Sequence, residues 1–258
     1  MRGALMHPAV TEFRLQPAAD HGLSLRQRMS SIRRESGLLS SIGHRCWWGA
    51  MRVYLRLWHR LRVEGREHLP AQAPFVVIGN HASHLDAMVM ASQVPARLRD
   101  RAHPVAAGDV FFEVPAKAAF AAFFVNCLPI WRHSAGRHAL EELAARLVDG
   151  PCVYILFPEG RRSPDGSLLP FREGLGMLVA GRPVPVVPCW IEGAHAALPR
   201  GAWLPRPKRI RLRIGAPLRF DDLPNRRPGW TEVGARCRAA VQALDPKAAT
   251  TPVLSPKS

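Results

Sequence analysis

No stretch of this chain has the twenty or so consecutive apolar residues that a bilayer-spanning helix needs. The longest uncharged apolar run, Ala118 to Trp131, is shorter and is interrupted by Asn126 and Pro129. Any membrane contact is therefore expected to be interfacial. Cysteine is sparse. Cys46, Cys127, Cys152, Cys189 and Cys237 are odd in number and far apart, without a Cys-x-x-Cys pair. Neither a disulfide framework nor a zinc site is indicated, and the five read as buried thiols of a reduced compartment. The first residues lack the basic-then-apolar run and small-residue cleavage site of a secretory signal. Lysine is nearly missing. Of 36 cationic residues only Lys117, Lys208, Lys247 and Lys257 are lysine, which leaves 32 arginines.

That arginine excess produces a net charge of +16. The guanidinium is a planar fork that grips phosphate through two parallel N–H groups, which an ammonium cannot do. The bias suits nucleic acid, anionic lipid headgroups or phosphorylated substrates, and composition does not choose among them. A hydrophobic fraction of 47% over 258 residues is ample for a buried core and excludes global disorder.

Along the chain, residues 1–24 lack sustained periodicity, and 1–36 are expected to be a flexible tail. An amphipathic helical region follows at 37–63. There Arg45, Arg52, Arg56 and Arg60 fall within an arc of about 80°. Trp47, Met51, Tyr54, Leu55, Trp58 and Leu61 gather on the opposite side. That apolar face either packs on the protein's own core or lies on a membrane surface, and the expectation is membrane contact. Residues 64–244 form the expected catalytic domain and 245–258 a second flexible tail. Within the domain, short buried strands are expected at Phe75–Ile78, near Val105, at Leu128–Trp131, Cys152–Phe157, Val184–Ile191 and Arg209–Ile214. Helices are expected from Leu85, at Pro115–Val125, after Ser134 and at Glu232–Leu244. Strands alternating with helices indicate a layered α/β domain.

Two polar segments follow buried strands, where ligands collect in open α/β sheets. The first is Asn80-His81-Ala82-Ser83-His84-Leu85-Asp86. A histidine can accept a hydroxyl proton near neutral pH, and a carboxylate can fix its tautomer and stabilise its cation. On an uninterrupted helix the five-residue spacing would set His81 and Asp86 about 140° apart, so a contact requires His81 in the strand-to-helix turn. The same residues also fit a capped helix start, or metal ligation by His81, His84 and Asp86. The second segment is Phe157-Pro158-Glu159-Gly160-Arg161-Arg162-Ser163. Pro158 and Gly160 shape a turn, Arg161 and Arg162 can contact phosphate, and Glu159 can bind hydroxyls.

Together these segments resemble the glycerolipid acyltransferases of the 1-acylglycerol-3-phosphate type. The resemblance covers about Val76 to Pro217, more than half the chain. Asn80, His81, Ser83 and Asp86 match the family's Asn-His-x-Ser-x-x-Asp block, and Phe157 to Ser163 match Phe-Pro-Glu-Gly-x-Arg-Ser. Val184 to Pro188 match Val-Pro-Val-x-Pro. Leu212 to Pro217 approximate Ile-x-Ile-Gly-x-Pro. The remaining block is met loosely by Asn126 to Arg132, with Asn126 in place of glycine and Trp131 in place of aspartate.

The resemblance implies a mixed central sheet flanked by helices and acyl transfer from a thioester to a lipid hydroxyl, without metal or prosthetic group. It casts His81 as general base and Asp86 as its orienting partner. Arg132, Glu159, Gly160, Arg161, Arg162 and Ser163 would bind substrate, with Asn80, Ser83 and Pro188 in support. Backbone N–H groups near Gly160 would be candidates for the oxyanion. The donor would be acyl-acyl carrier protein or acyl-CoA. The default acceptor is 1-acylglycerol-3-phosphate, with lyso-ornithine lipid and other lyso-lipids as alternatives. The expected location is peripheral, on the cytoplasmic face of the inner membrane. From other classes, a basic nucleic-acid-binding protein and a non-catalytic lipid binder remain open. No helix-turn-helix, zinc-finger or RNA-binding signature accompanies the charge.

Overall fold

The alternating apolar runs come together, in the computed structural model of this chain, as a single seven-stranded sheet. The structure describes residues 38–107, 114–130 and 136–248, together with positions 22–24, 27 and 31. The strands are β1 (Arg62–Glu64), β2 (Phe75–Gly79), β3 (Ala102–Ala107), β4 (Leu128–Ile130), β5 (Val153–Leu156), β6 (Val186–Glu192) and β7 (Arg211–Ile214). Their spatial order is β1-β7-β6-β2-β5-β3-β4. Only the β6–β7 pairing is antiparallel, so β1 and β7 run against the other five. The sheet is mixed, as expected.

Helices cover both faces: α1 (Leu38–Leu57), α2 (Leu85–Gln93), α3 (Pro115–Phe123), α4 (Gly136–Asp149), α5 (Gly174–Val179), α6 (Ala194–Ala197) and α7 (Arg227–Ala243). Strand side chains alternate between faces, which divides the core into two layers. Phe75 and Val77 of β2 pack with Trp48, Met51 and Leu55 of α1 and with Val89 and Met90 of α2. Val76 and Ile78 point the other way, into Leu143 and Leu147 of α4, Leu175 and Leu178 of α5, and Val233 and Val241 of α7.

Pro188 lies inside β6 without breaking it. The antiparallel ladder with β7 begins at Cys189 opposite Ile214, one residue past the proline. The Pro188 carbonyl accepts the Gly215 N–H at 2.8 Å, and pairing resumes between Val186 and Leu218. The missing N–H therefore falls where the ladder is already interrupted.

Several expectations are corrected. The sheet starts inside the segment read as helical: Arg62–Glu64 form β1, paired in parallel with Arg211–Arg213 of β7. Three residues carry too little periodicity to announce a strand whose partner lies 149 residues away. α7 begins five residues before Glu232, with Pro228 in its first turn, where a missing N–H leaves no bond unmade. Asp245–Ala248 close a turn, the Ala248 N–H donating to the Asp245 carbonyl at 3.0 Å, where a tail was expected. The rest of the expected tails, apart from positions 22–24, 27 and 31, lies outside the described residues. Four cysteines are buried, but Cys46 is exposed on α1.

The largest correction concerns α1. Met51 and Leu55 are buried, and Trp47, Tyr54 and Leu61 pack against the same core. Trp47 meets Phe120 and Phe124 of the α3 region edge-on and tilted, each at 5.3 Å between ring centroids. The face read as membrane-seeking thus belongs to the protein, and only Trp58 of that group is exposed. Ile42, Val53 and Leu57 face outward instead. No helix of the described residues is long and apolar enough to cross a membrane.

Leu55 is 0% exposed and Val53 is 56% exposed, one helical half-turn apart. Leu55→Ala is expected to lower the free energy of unfolding by about 2–5 kcal/mol, as cavity-forming core truncations do. Val53→Ser should stay within about 0.5 kcal/mol of wild type. Urea unfolding midpoints check both.

Candidate active site

β2 and β5 are parallel neighbours, with Ile78 opposite Leu156. Their carboxyl ends therefore leave the sheet at the same edge, and the turns that follow them meet. His81 lies two residues beyond β2, and Phe157 is the first residue beyond β5. The two rings stack at 4.0 Å between centroids, 17° from parallel. On the other side of β2, Asn80 locks its turn to β6. Its amide donates to the Ile191 carbonyl at 3.0 Å and accepts the Ile191 N–H at 2.7 Å.

His81 stands in the turn and Asp86 in the first turn of α2, the arrangement their spacing demands. His81 Nδ1 lies 3.0 Å from Asp86 Oδ2. The same oxygen accepts the Ala82 and Ser83 N–H groups, each at 2.7 Å. Asp86 is 1% exposed while His81 is 19% exposed. A carboxylate that holds two amides accepts rather than donates, so the imidazole proton sits on Nδ1 and Nε2 carries the lone pair. Ser83 serves the turn from a buried position, its hydroxyl donating to the Leu198 carbonyl and accepting the Leu85 N–H.

The second turn is fastened to the first. The Ser163 N–H donates to the His81 carbonyl at 2.7 Å. Glu159 Oε1 accepts the His81 N–H at 2.7 Å, and Oε2 accepts the Leu169 N–H at 3.1 Å. Glu159 was expected to bind substrate hydroxyls, but it is buried and both oxygens hold backbone. It is a brace between two loops. Burial pushes its carboxyl up to about 7, against the pull of the two backbone bonds. Ser163 is likewise buried, with its hydroxyl donating to Asp165 and accepting the Gly166 N–H. Pro188 lies within the sheet, in register with Ile78.

Gly160 has φ +69°, a conformation side chains avoid. A β-carbon there would lie 2.7 Å from Nε of Arg172, so glycine also makes room for that guanidinium. The Gly160 N–H donates to the Phe157 carbonyl and is not available to an oxyanion. The next two N–H groups of the turn, those of Arg161 and Arg162, have no partner among the described residues.

His81 opens on a cavity of about 680 Å³. Its apolar lining includes Val105 of β3, Ala121 of α3, Ile130 of β4, Leu140 of α4, and Leu175 and Leu178 of α5. Arg161, Arg162, Arg172 and Arg200 line the same cavity. Burial pulls Arg162 down from the ordinary guanidinium range, and the neighbouring Arg200 charge adds to this. Arg132 lies outside the described residues.

Known proteins are similar to this chain. A family model described as Acyltransferase matches residues 60–192, just over half of the chain. The chain belongs to that acyltransferase family. The mouse 1-acyl-sn-glycerol-3-phosphate acyltransferase alpha is 32% identical over 131 residues, covering 50% of this chain and 44% of the mouse protein. The corresponding Limnanthes douglasii enzyme is 27% identical over 162 residues, covering 63% of this chain and 56% of the plant protein. The chain thus spans about half the length of the curated relatives it matches. The crystal structure of the lysophosphatidate acyltransferase PlsC from Thermotoga maritima superposes with a TM-score of 0.61. That match has 25% identity and covers 78% of this chain and 79% of the other.

Within this acyltransferase fold, two cavity arginines were not assigned from sequence. Arg172 sits in the Phe171-Arg172-Glu173-Gly174 segment, and its backbone N–H, which donates to the Pro158 carbonyl at 2.9 Å, binds it to the second turn. Arg200 lies outside every motif, and only the fold brings it to Arg162.

The brace carries a pH signature. Folding raises the Glu159 pKa from 4.5 to about 7. Between those values the native state binds more protons than the unfolded chain, so stability falls as pH rises through that window. Glu159→Gln removes the titration. The decline in Tm between pH 5 and 7.5 should be flatter in this variant, as measured by scanning calorimetry.

Proposed function

We propose that this chain is an O-acyltransferase that moves a fatty acyl group from a thioester to the free hydroxyl of a lysophospholipid, with 1-acylglycerol-3-phosphate as its principal acceptor. The observation that carries this reading is that the Asp86-held His81 lines one cavity together with apolar side chains and four arginines. The apolar lining suits an acyl chain and the arginines suit a phosphorylated headgroup. The names of the relatives support the same acceptor and an acyl donor.

The hydroxyl oxygen attacks the thioester carbonyl as His81 Nε2 removes its proton. Asp86 keeps the ring oriented and stabilises the imidazolium, as the acid does in a serine-protease triad. The N–H groups of Arg161 and Arg162 are suited to the developing oxyanion. Collapse of the tetrahedral intermediate breaks the carbon–sulfur bond, and His81 returns its proton to the departing thiolate. The nucleophile is the substrate's own hydroxyl, so no covalent acyl-enzyme forms, and every atom is balanced without a metal or prosthetic group. The donor is an acyl-CoA or an acyl-acyl carrier protein.

Arginine crowding supports a phosphate acceptor. Arg162 and Arg200 repel one another in a partly buried cavity, a cost that a bound dianion relieves. A lipid acceptor also requires access to a membrane surface, and we place the chain there as a peripheral protein.

His81→Ala should abolish thiol release while leaving Tm close to wild type, because the base acts in the chemical step. Residual activity above a few per cent of wild type would assign the proton transfer to another group. Arg162→Ala should chiefly raise KM for the phosphorylated acceptor, by about one to two decades, with a smaller effect on the donor. Steady-state kinetics with each substrate varied in turn separates the two.

A further inference from the structure

The segment joining α6 to β7 carries the two most exposed large apolar side chains among the described residues. Trp203 is 96% exposed and Leu204 is 78% exposed. They are adjacent, at the tip of a loop that is held in place rather than left to collapse. The Ala202 N–H donates to the Pro199 carbonyl at 3.1 Å, and the Arg206 N–H to the Ala197 carbonyl at 2.7 Å. The Ile210 N–H closes the far end on the His59 carbonyl at 3.0 Å, and Ala202 packs on the core beneath. Single exposed apolar residues are ordinary. An adjacent Trp–Leu pair presented on an anchored tip is not, because the core gains nothing from it.

The charge around the tip has one sign. Arg200, Arg206, Lys208 and Arg209 are all exposed. Residues 193–220 contain no Asp or Glu. Tryptophan favours the water–lipid boundary, and cations beside it favour anionic headgroups. The loop also touches the site. Arg200 lines the catalytic cavity, and Trp203 follows three residues later. Three trans peptide links span at most about 11 Å. An interfacial side chain is buried by about 5–10 Å. A tip seated in lipid therefore brings Arg200, and with it the cavity it lines, to the depth of the headgroups.

We propose that Trp203 and Leu204 insert into the interfacial layer of an anionic bilayer, with Arg206, Lys208 and Arg209 on its headgroups, and so set the cavity mouth against the surface. The purpose of this contact rests on the lysophospholipid reading, but the contact itself is measurable without substrate.

The test uses the full chain and vesicles of phosphatidylcholine, alone or mixed with phosphatidylglycerol. The Trp203→Ser, Leu204→Ser double variant should lose about tenfold or more in vesicle partitioning and keep the wild-type Tm. Lipids brominated in the upper acyl chain should quench wild-type fluorescence more than that of Trp203→Phe. The Arg206→Gln, Lys208→Gln, Arg209→Gln variant should lose binding to the anionic vesicles only, and its difference from wild type should shrink as salt rises. Partitioning unchanged in the double variant would overturn the proposal. So would a tip variant that binds vesicles normally but no longer binds acyl carrier protein, which would give the tip a protein partner. Tip-dependent partitioning in a chain that makes no acylated product would support the loop's role and remove the acyltransferase reading instead.

Discussion

Asp86 Oδ2 holds three donors at once: the Ala82 N–H, the Ser83 N–H and the His81 imidazole. The rest of the site depends on that one oxygen. Two of its bonds satisfy amides of the turn that leads into α2, and Asp86 itself stands in the first turn of the helix, where the dipole favours a negative charge. The third turns the histidine ring so that its other nitrogen faces the cavity. Fold and chemistry thus share an anchor, because the turn that caps the helix is also the turn that aims the base. The ring is fixed from a second side by Phe157, and its backbone from a third by Glu159 and Ser163. Each of these arrives from the turn after β5, which the parallel pairing of β2 and β5 makes inevitable.

Preorganisation of this kind lowers the cost of bringing a hydroxyl, a base and a carbonyl into line. Arg161, Arg162, Arg172 and Arg200 line the same cavity as apolar side chains of β3, α3, β4, α4 and α5.

The sequence carried the parts of this that are local. His81 and Asp86 are five residues apart, so one turn decides their contact, and the short continuous apolar runs of β2 and β5 gave both strands away. The second motif was readable as a turn, but the role of Glu159 was not. Whether a carboxylate faces substrate or braces two loops depends on Leu169 and on the His81 backbone, which sequence does not place beside it. The same limit hid Arg200, which no motif contains, and β1, whose three residues become a strand only because β7 is there to pair with. For α1 the amphipathic pattern was real, yet periodicity alone does not say what covers an apolar face. The core took the face that carries Met51 and Leu55, and Ile42, Val53 and Leu57 were left outside.

The central claim is direct acyl transfer from sulfur to a lipid hydroxyl. It is tested most directly by mixing the purified chain with an acyl thioester and 1-acylglycerol-3-phosphate, counting free thiol and identifying lipid products by mass spectrometry. The mechanism requires one thiol for each diacyl product formed, and no thiol release without the acceptor. Thiol release matched by free fatty acid, or none with any lyso-lipid acceptor, would contradict it.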